Sequence, residues 1–113
     1  MTTQTFQTPD DRVLDFKARI FKVMGDPNRL KILEVLRSGE MCQCEIIPIL
    51  GQSQPTVSRH LKLLEDAGLI SSYRDSTRTM YRVVDSHVFN LLDAIDPRMV
   101  ELISRELAKK YRL

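Results

Sequence analysis

The sequence predicts a mainly α-helical single domain carrying one small β-hairpin, and three observations predict it. Gln52 to Ile70 (QSQPTVSRHLKLLEDAGLI) carries the start and stop signals of one short helix with an apolar stripe on one side. Ser71 to Val84 (SSYRDSTRTMYRVV) sets β-branched and aromatic residues on either side of a turn-forming Asp75-Ser76-Thr77. On both sides of these segments apolar residues recur at spacings of three and four, the period of amphipathic helices.

The 113 residues, 42% hydrophobic and 28% charged, read as one globular domain spanning 1–113. No apolar run is long enough to span a membrane and no signal-peptide pattern is present, so a cytoplasmic protein without a membrane partner is expected. A net charge of +2 and a pI near 8.7 permit nucleic-acid binding without arguing for it. Where the charge sits matters more than its sum.

Residues 1–8 are polar, rich in Thr and Gln, and expected to be flexible. From Pro9 to Met24, Val13, Phe16, Ile20 and Val23 form one apolar face, widened by Leu14 and Phe21. That face either completes the domain's own core or meets a partner subunit. Gly25 permits a turn, Asp26 caps the next helix and Pro27 takes its first position. Leu30, Ile32, Leu33 and Leu36 are its buried side, Arg29 and Lys31 are expected to be exposed, and Gly39 ends it.

The segment GEMCQCEIIPIL holds both cysteines of the chain. Pro48 cannot pair with the carbonyl four residues earlier, so this helix is expected to begin at about Cys44 or Glu45. Cys42 and Cys44 then straddle its positive end, where a thiol is more acidic, and a thiolate binds soft metals or attacks a disulfide. The other reading is two inert thiols behaving as small hydrophobes. A disulfide within so short a loop is expected to be strained, which favours links between subunits or through added sulfur.

In the central helix Ser53 is the N-cap, Pro55 lies just inside, and Gly68 provides the left-handed exit. Val57, Leu61 and Leu64 face the core, while Pro55, Ser58, Arg59 and Lys62 project roughly opposite. A helix of this form after a short helix and a tight turn fits a DNA major groove. Gln54, Thr56 and Ser58 are placed to read base edges, and Arg59 and Lys62 to hold phosphate or guanine. His60 lies at the edge of the apolar stripe and is expected to pack or touch the DNA backbone. In the hairpin Tyr81 and Val83 face inward, and Arg74 and Arg78 lie near a tip that can reach phosphate or the minor groove. Two amphipathic helices follow: Val88, Leu91, Leu92 and Ile95, then, capped by Asp96 with Pro97 first, Val100, Ile103 and Leu107.

SQPTVSRHLKLLEDAGLI, preceded by MGDPNRLKILEVL and followed by the basic hairpin, resembles the ArsR/SmtB family of metal-responsive repressors over about Phe16 to Val84. The resemblance implies a winged helix-turn-helix homodimer, joined through helices in 9–24 and 86–111, that binds double-stranded operator DNA and is released by an effector. MCQCEII resembles the family's arsenic and heavy-metal box, with Cys42 and Cys44 matching its first two thiols and Ile47 standing where the third would be. A three-thiolate site is therefore incomplete. What remains is a two-thiolate site for trivalent arsenic or a soft metal ion finished by an exogenous ligand, or a linear site for monovalent copper. Asp85, His87 and Glu101 match part of the zinc site found on the last helix in some members, but Arg98 replaces a needed histidine and Pro97 breaks the helix.

The function expected is a repressor without a resident cofactor, reading an inverted repeat with Gln54, Thr56, Ser58 and Arg59 and gripping phosphates with Lys62, Arg74 and Arg78. A thiophilic effector at Cys42 and Cys44 would release it. The alternatives are a redox- or persulfide-responsive repressor, a winged-helix regulator with no thiol effector, and a winged-helix module that binds protein only. The sequence holds no Gly-rich phosphate loop, metal triad or activated nucleophile, so an enzyme is not expected.

Overall fold

The computed structural model describes residues 8–111; the segment expected to be flexible therefore lies, up to residue 7, outside the described residues. Six helices and three strands follow in the order α1 (Asp11–Met24), α2 (Pro27–Val35), β1 (Met41–Cys42), α3 (Gln43–Leu50), α4 (Gln54–Asp66), β2 (Ile70–Asp75), β3 (Arg78–Val83), α5 (His87–Ala94) and α6 (Pro97–Tyr111). The sheet is antiparallel with order β1-β3-β2. This is a winged helix-turn-helix: α3 and α4 are the two helices of the motif and β2-β3 is the wing.

Local chemistry sets the boundaries. The Ser53 hydroxyl accepts from the Thr56 N–H at 3.3 Å, while Pro55 occupies a first-turn position whose N–H needs no partner. At the other end Gly68 has φ +81, and the Gly68 and Leu69 N–H groups return to the Glu65 and Leu64 carbonyls at 2.9 and 3.1 Å. That closure satisfies two terminal carbonyls and lays Leu69 on the last turn. Val57, Leu61 and Leu64 are fully buried and meet Ile32, Leu33, Leu36, Ile46, Leu50, Ile70 and Tyr81 in one core.

The third helix starts at Gln43, before the expected Cys44 or Glu45. Pro48 lies inside it, and its ring costs this eight-residue helix only the bond to the Cys44 carbonyl in its first turn. The strand before it was not foreseen: Met41 and Cys42 pair with Tyr81 and Met80 of β3. Two residues are too few to show an alternation.

Arg29 is also not where it was expected. It is half-buried, its guanidinium donating to the Val23 carbonyl and lying 3.3 Å from His60 Nδ1. His60 is buried on the inner side of the central helix, so it packs rather than meeting DNA. Arg29→Ala strands the Val23 carbonyl and the imidazole together, and a stability loss of about 1–3 kcal/mol is expected in a denaturant titration.

Asp26 accepts from the Asn28 and Arg29 N–H groups at 2.8 and 3.1 Å. The Arg29 backbone bond is the main cause that holds its carboxyl below the ordinary range. A carboxylate lowered on folding contributes stability above its unfolded pKa and loses it as pH falls through the folded one. Asp26→Ala is therefore expected to cost about 0.5–2 kcal/mol at pH 7 and less once pH has fallen through the folded pKa, as thermal melts at neutral and acid pH would show.

The apolar face of α1 divides. Ile20, Val23 and Met24 pack on the core, whereas Val13, Leu14, Phe16 and Phe21 are exposed. No residue of α6 is buried, and its Val100, Ile103 and Leu107 are about half exposed. The radius of gyration is 18.1 Å, against about 13 Å for a compact chain of this length. The two terminal helices thus leave apolar stripes that one chain does not cover. Arg37 anchors α5 to the turn after α2 by a two-pronged pair with Asp93 at 2.9 and 3.0 Å, and lies over the Phe89 ring.

Candidate nucleic-acid and effector interface

Gly51, in the left-handed conformation at φ +66, turns the chain from α3 into α4 and leaves the start of α4 at the surface. Gln54, Arg59 and Lys62 are exposed on one side of it. Thr56 and Ser58 are half-buried with their hydroxyls engaged: Ser53 donates to Thr56 Oγ1 at 2.9 Å, and the Gln43 amide donates to Ser58 Oγ. Each hydroxyl thereby accepts within the protein and keeps its own proton to give. That suits an acceptor such as guanine O6 or N7, thymine O4 or a phosphate oxygen.

The wing turns through Ser76, whose φ is +60, and carries Arg74 and Arg78 at its end. Arg74 Nη1 donates to Thr79 Oγ1 at 3.2 Å and Arg78 Nη2 to Asp75 at 3.4 Å, both exposed. Lys62 faces Asp66 at 3.7 Å. Exposed pairs of this kind are weak enough to yield to a phosphate. Glu40 braces the wing from below, accepting from the Tyr73 hydroxyl and lying 3.9 Å from Arg82.

The cysteines sit where this reader and this wing meet. Cys42 is the last residue of β1 and the N-cap of α3; its N–H donates to Glu45 Oε1 at 3.1 Å and its side chain is buried. Cys44, in the first turn, is exposed. Their Cα atoms are 5.2 Å apart and their sulfurs are paired as a disulfide, contrary to the expectation that so short a loop disfavours it. The extended backbone at Cys42 turns abruptly into the helix, which brings the two side chains to one side. Gln43, between them, was missed by the sequence reading. Its role rests on reaching a residue fifteen positions away, and no local pattern signals that.

As dithiols, Cys42 and Cys44 offer two soft donors. Among the described residues no group of three or more His, Cys, Asp or Glu could hold a metal ion. Asp85 accepts from His87 at both its backbone N–H and Nδ1, at 2.7 and 2.6 Å, and Glu101 pairs with Arg105 at 2.6 Å.

A helix-turn-helix whose second helix is exposed beside a basic wing is the build of a DNA-binding transcription regulator. The family model for bacterial regulatory proteins of the arsR family matches residues 26–72. An HTH-type transcriptional regulator of Methanocaldococcus jannaschii is 42% identical over 80 residues, 70% of this chain and 90% of that one. The arsenical resistance operon repressor of Staphylococcus xylosus is 39% identical over 80 residues, 71% of this chain and 73% of its own. Among solved structures, a homodimeric winged helix-turn-helix DNA-binding domain from Mycobacterium bovis superposes with a TM-score of 0.69 at 29% identity, covering 94% of this chain and 92% of that one. The chain belongs to the ArsR family. Its relatives are transcriptional regulators, and it is a regulator, not an enzyme. No helix among the described residues is long and apolar enough to cross a membrane.

Proposed function

We propose that the protein is a homodimeric, cytoplasmic transcriptional repressor, one domain over 1–113, that binds an inverted-repeat operator and leaves it when a thiophilic effector engages Cys42 and Cys44. Trivalent arsenic or a soft metal ion is the effector class. Gln54, Thr56, Ser58 and Arg59 read bases; Lys62, Arg74 and Arg78 hold phosphates. Helices within 9–24 and 86–111 form the dimer, and the exposed apolar stripes of α1 and α6 support this reading.

One observation carries the effector site: the start of α3 is joined to both DNA-contacting parts. Gln43 bonds to Ser58 of the central helix, and Cys42 pairs with Met80 of the wing. Chemistry at the thiols cannot move this turn without moving one of them. By linkage, an effector that weakens DNA binding is itself weakened by DNA to the same factor. The Cys42–Cys44 pairing favours a second reading, in which oxidation of the two thiols replaces the metal.

The test is fluorescence anisotropy of a labelled fragment of the protein's own upstream promoter, titrated with reduced protein and then with arsenite, cadmium, monovalent copper, a polysulfide donor and a thiol oxidant. Six phosphate contacts from the dimer imply an affinity loss of about 10³-fold between 50 and 200 mM salt. No binding at low salt rejects the repressor. Binding that none of the five reverses rejects the thiol effector.

A further inference from the structure

Cys42, Cys44, Gln54, Arg74, Arg78 and Thr79 line one open cleft of about 400 Å³ between the start of α3, the start of α4 and the wing. Two of these side chains are the soft donors, and three belong to the set assigned to DNA. We propose that this cleft is a single site with two mutually exclusive occupants: a DNA phosphate, or the oxygen-bearing side of a thiol-bound oxyacid of a trivalent element, arsenous acid being the type. The inference rests on the thiophile reading above and adds how release occurs, by direct competition for Arg74 and Arg78.

With Ile47 where a third thiol would stand, two sulfurs leave one position on the element open. In the dithiol form two sulfurs bind the element: two S–As bonds form, two As–O bonds break, and the thiol protons leave with the displaced hydroxyls as two waters. No oxidation state changes. One hydroxyl stays, and it needs a polar environment. The cleft supplies it: Arg74, Arg78, Thr79 and Gln54 line it together with the two cysteines, and α3 and α4 both begin there. Helix N-termini and arginines favour oxygen acceptors and negative charge, which a phosphate also offers. Arg74 holds Thr79 and Arg78 holds Asp75, at 3.2 and 3.4 Å and exposed, so either occupant can take them. A ligand on the sulfurs shares the cleft with these guanidiniums and with Gln54 at the start of the central helix, and so takes space that a phosphate held there would need.

Arsenite is the probe, and two readouts on the full-length, reduced protein test the proposal. The first uses no DNA: ultraviolet absorbance of the arsenic–sulfur bond reports arsenite affinity for wild type, for Arg74→Gln with Arg78→Gln, and for Lys62→Gln, which lies outside the cleft. The arginine pair is expected to bind arsenite at least about tenfold more weakly, and Lys62→Gln as wild type, although it weakens DNA binding. In the second readout the operator Kd of wild type is followed against arsenite. Shared occupancy predicts a Kd that keeps rising with arsenite and reaches no ceiling; coupling between separate sites predicts a plateau. Equal arsenite affinity in the arginine pair, or a plateau, overturns the shared cleft and leaves the thiol effector standing. Absence of any arsenic–sulfur absorbance in wild type overturns both.

Discussion

Ile103→Glu is expected to make the protein monomeric and to lower operator affinity by about 10²–10⁴-fold. Ile103 lies on α6, is about half exposed, and belongs with Val100 and Leu107 to a stripe that touches no part of the core. The substitution therefore leaves the monomer fold intact and keeps its melting cooperative. In a two-fold dimer the same position recurs on the partner, so two carboxylates would be added to an apolar seam. Separate winged domains still bind half-sites, but each binds at its own modest affinity, and the gain from tethering two readers is lost. Sedimentation and anisotropy on the same samples would show this. A dimeric variant of undiminished affinity would move the interface away from this helix.

Cys44→Ser is the second large effect. It is expected to weaken arsenite binding by about 10²–10⁴-fold, because ligation at one sulfur lacks the effective concentration of the second. It is also expected to abolish release from the operator by arsenite or by a thiol oxidant, and to leave operator affinity within about threefold of wild type. Cys44 is the better position for this test because it is exposed, whereas Cys42 is buried against the wing strand and its replacement would disturb packing as well as chemistry. Arsenite-driven release that survives in Cys44→Ser would place the effector elsewhere.

The two effects separate two parts of the molecule. On the proposed reading, dimerisation uses faces that the isolated chain leaves uncovered, and effector response uses a turn at the junction of α3, α4 and the wing. Arg37, paired with Asp93 and stacked on Phe89, ties α5 to the turn after α2.

What could be read from the residues is local in origin. Ser53, Pro55 and Gly68 mark the central helix through bonds that close within three to five residues, and its buried stripe follows from a period of 3.6. The same holds for Asp26-Pro27, for the turn at Ser76 and for the break at Asp96-Pro97. The exposed Gln54, Arg59, Lys62, Arg74 and Arg78 were legible because their neighbours in the period were needed elsewhere. The strand at Met41–Cys42, the inward turn of Arg29, the Gln43–Ser58 bond and the convergence of both sulfurs with the wing arginines were not. Each joins residues far apart in the chain, or depends on a backbone direction set by such a contact. Periodicity and capping report which way a side chain faces from its own helix. They carry no information about what another segment places opposite it, whether that segment is the central helix, as for Arg29 and Gln43, or the wing, as for Met41 and Cys42.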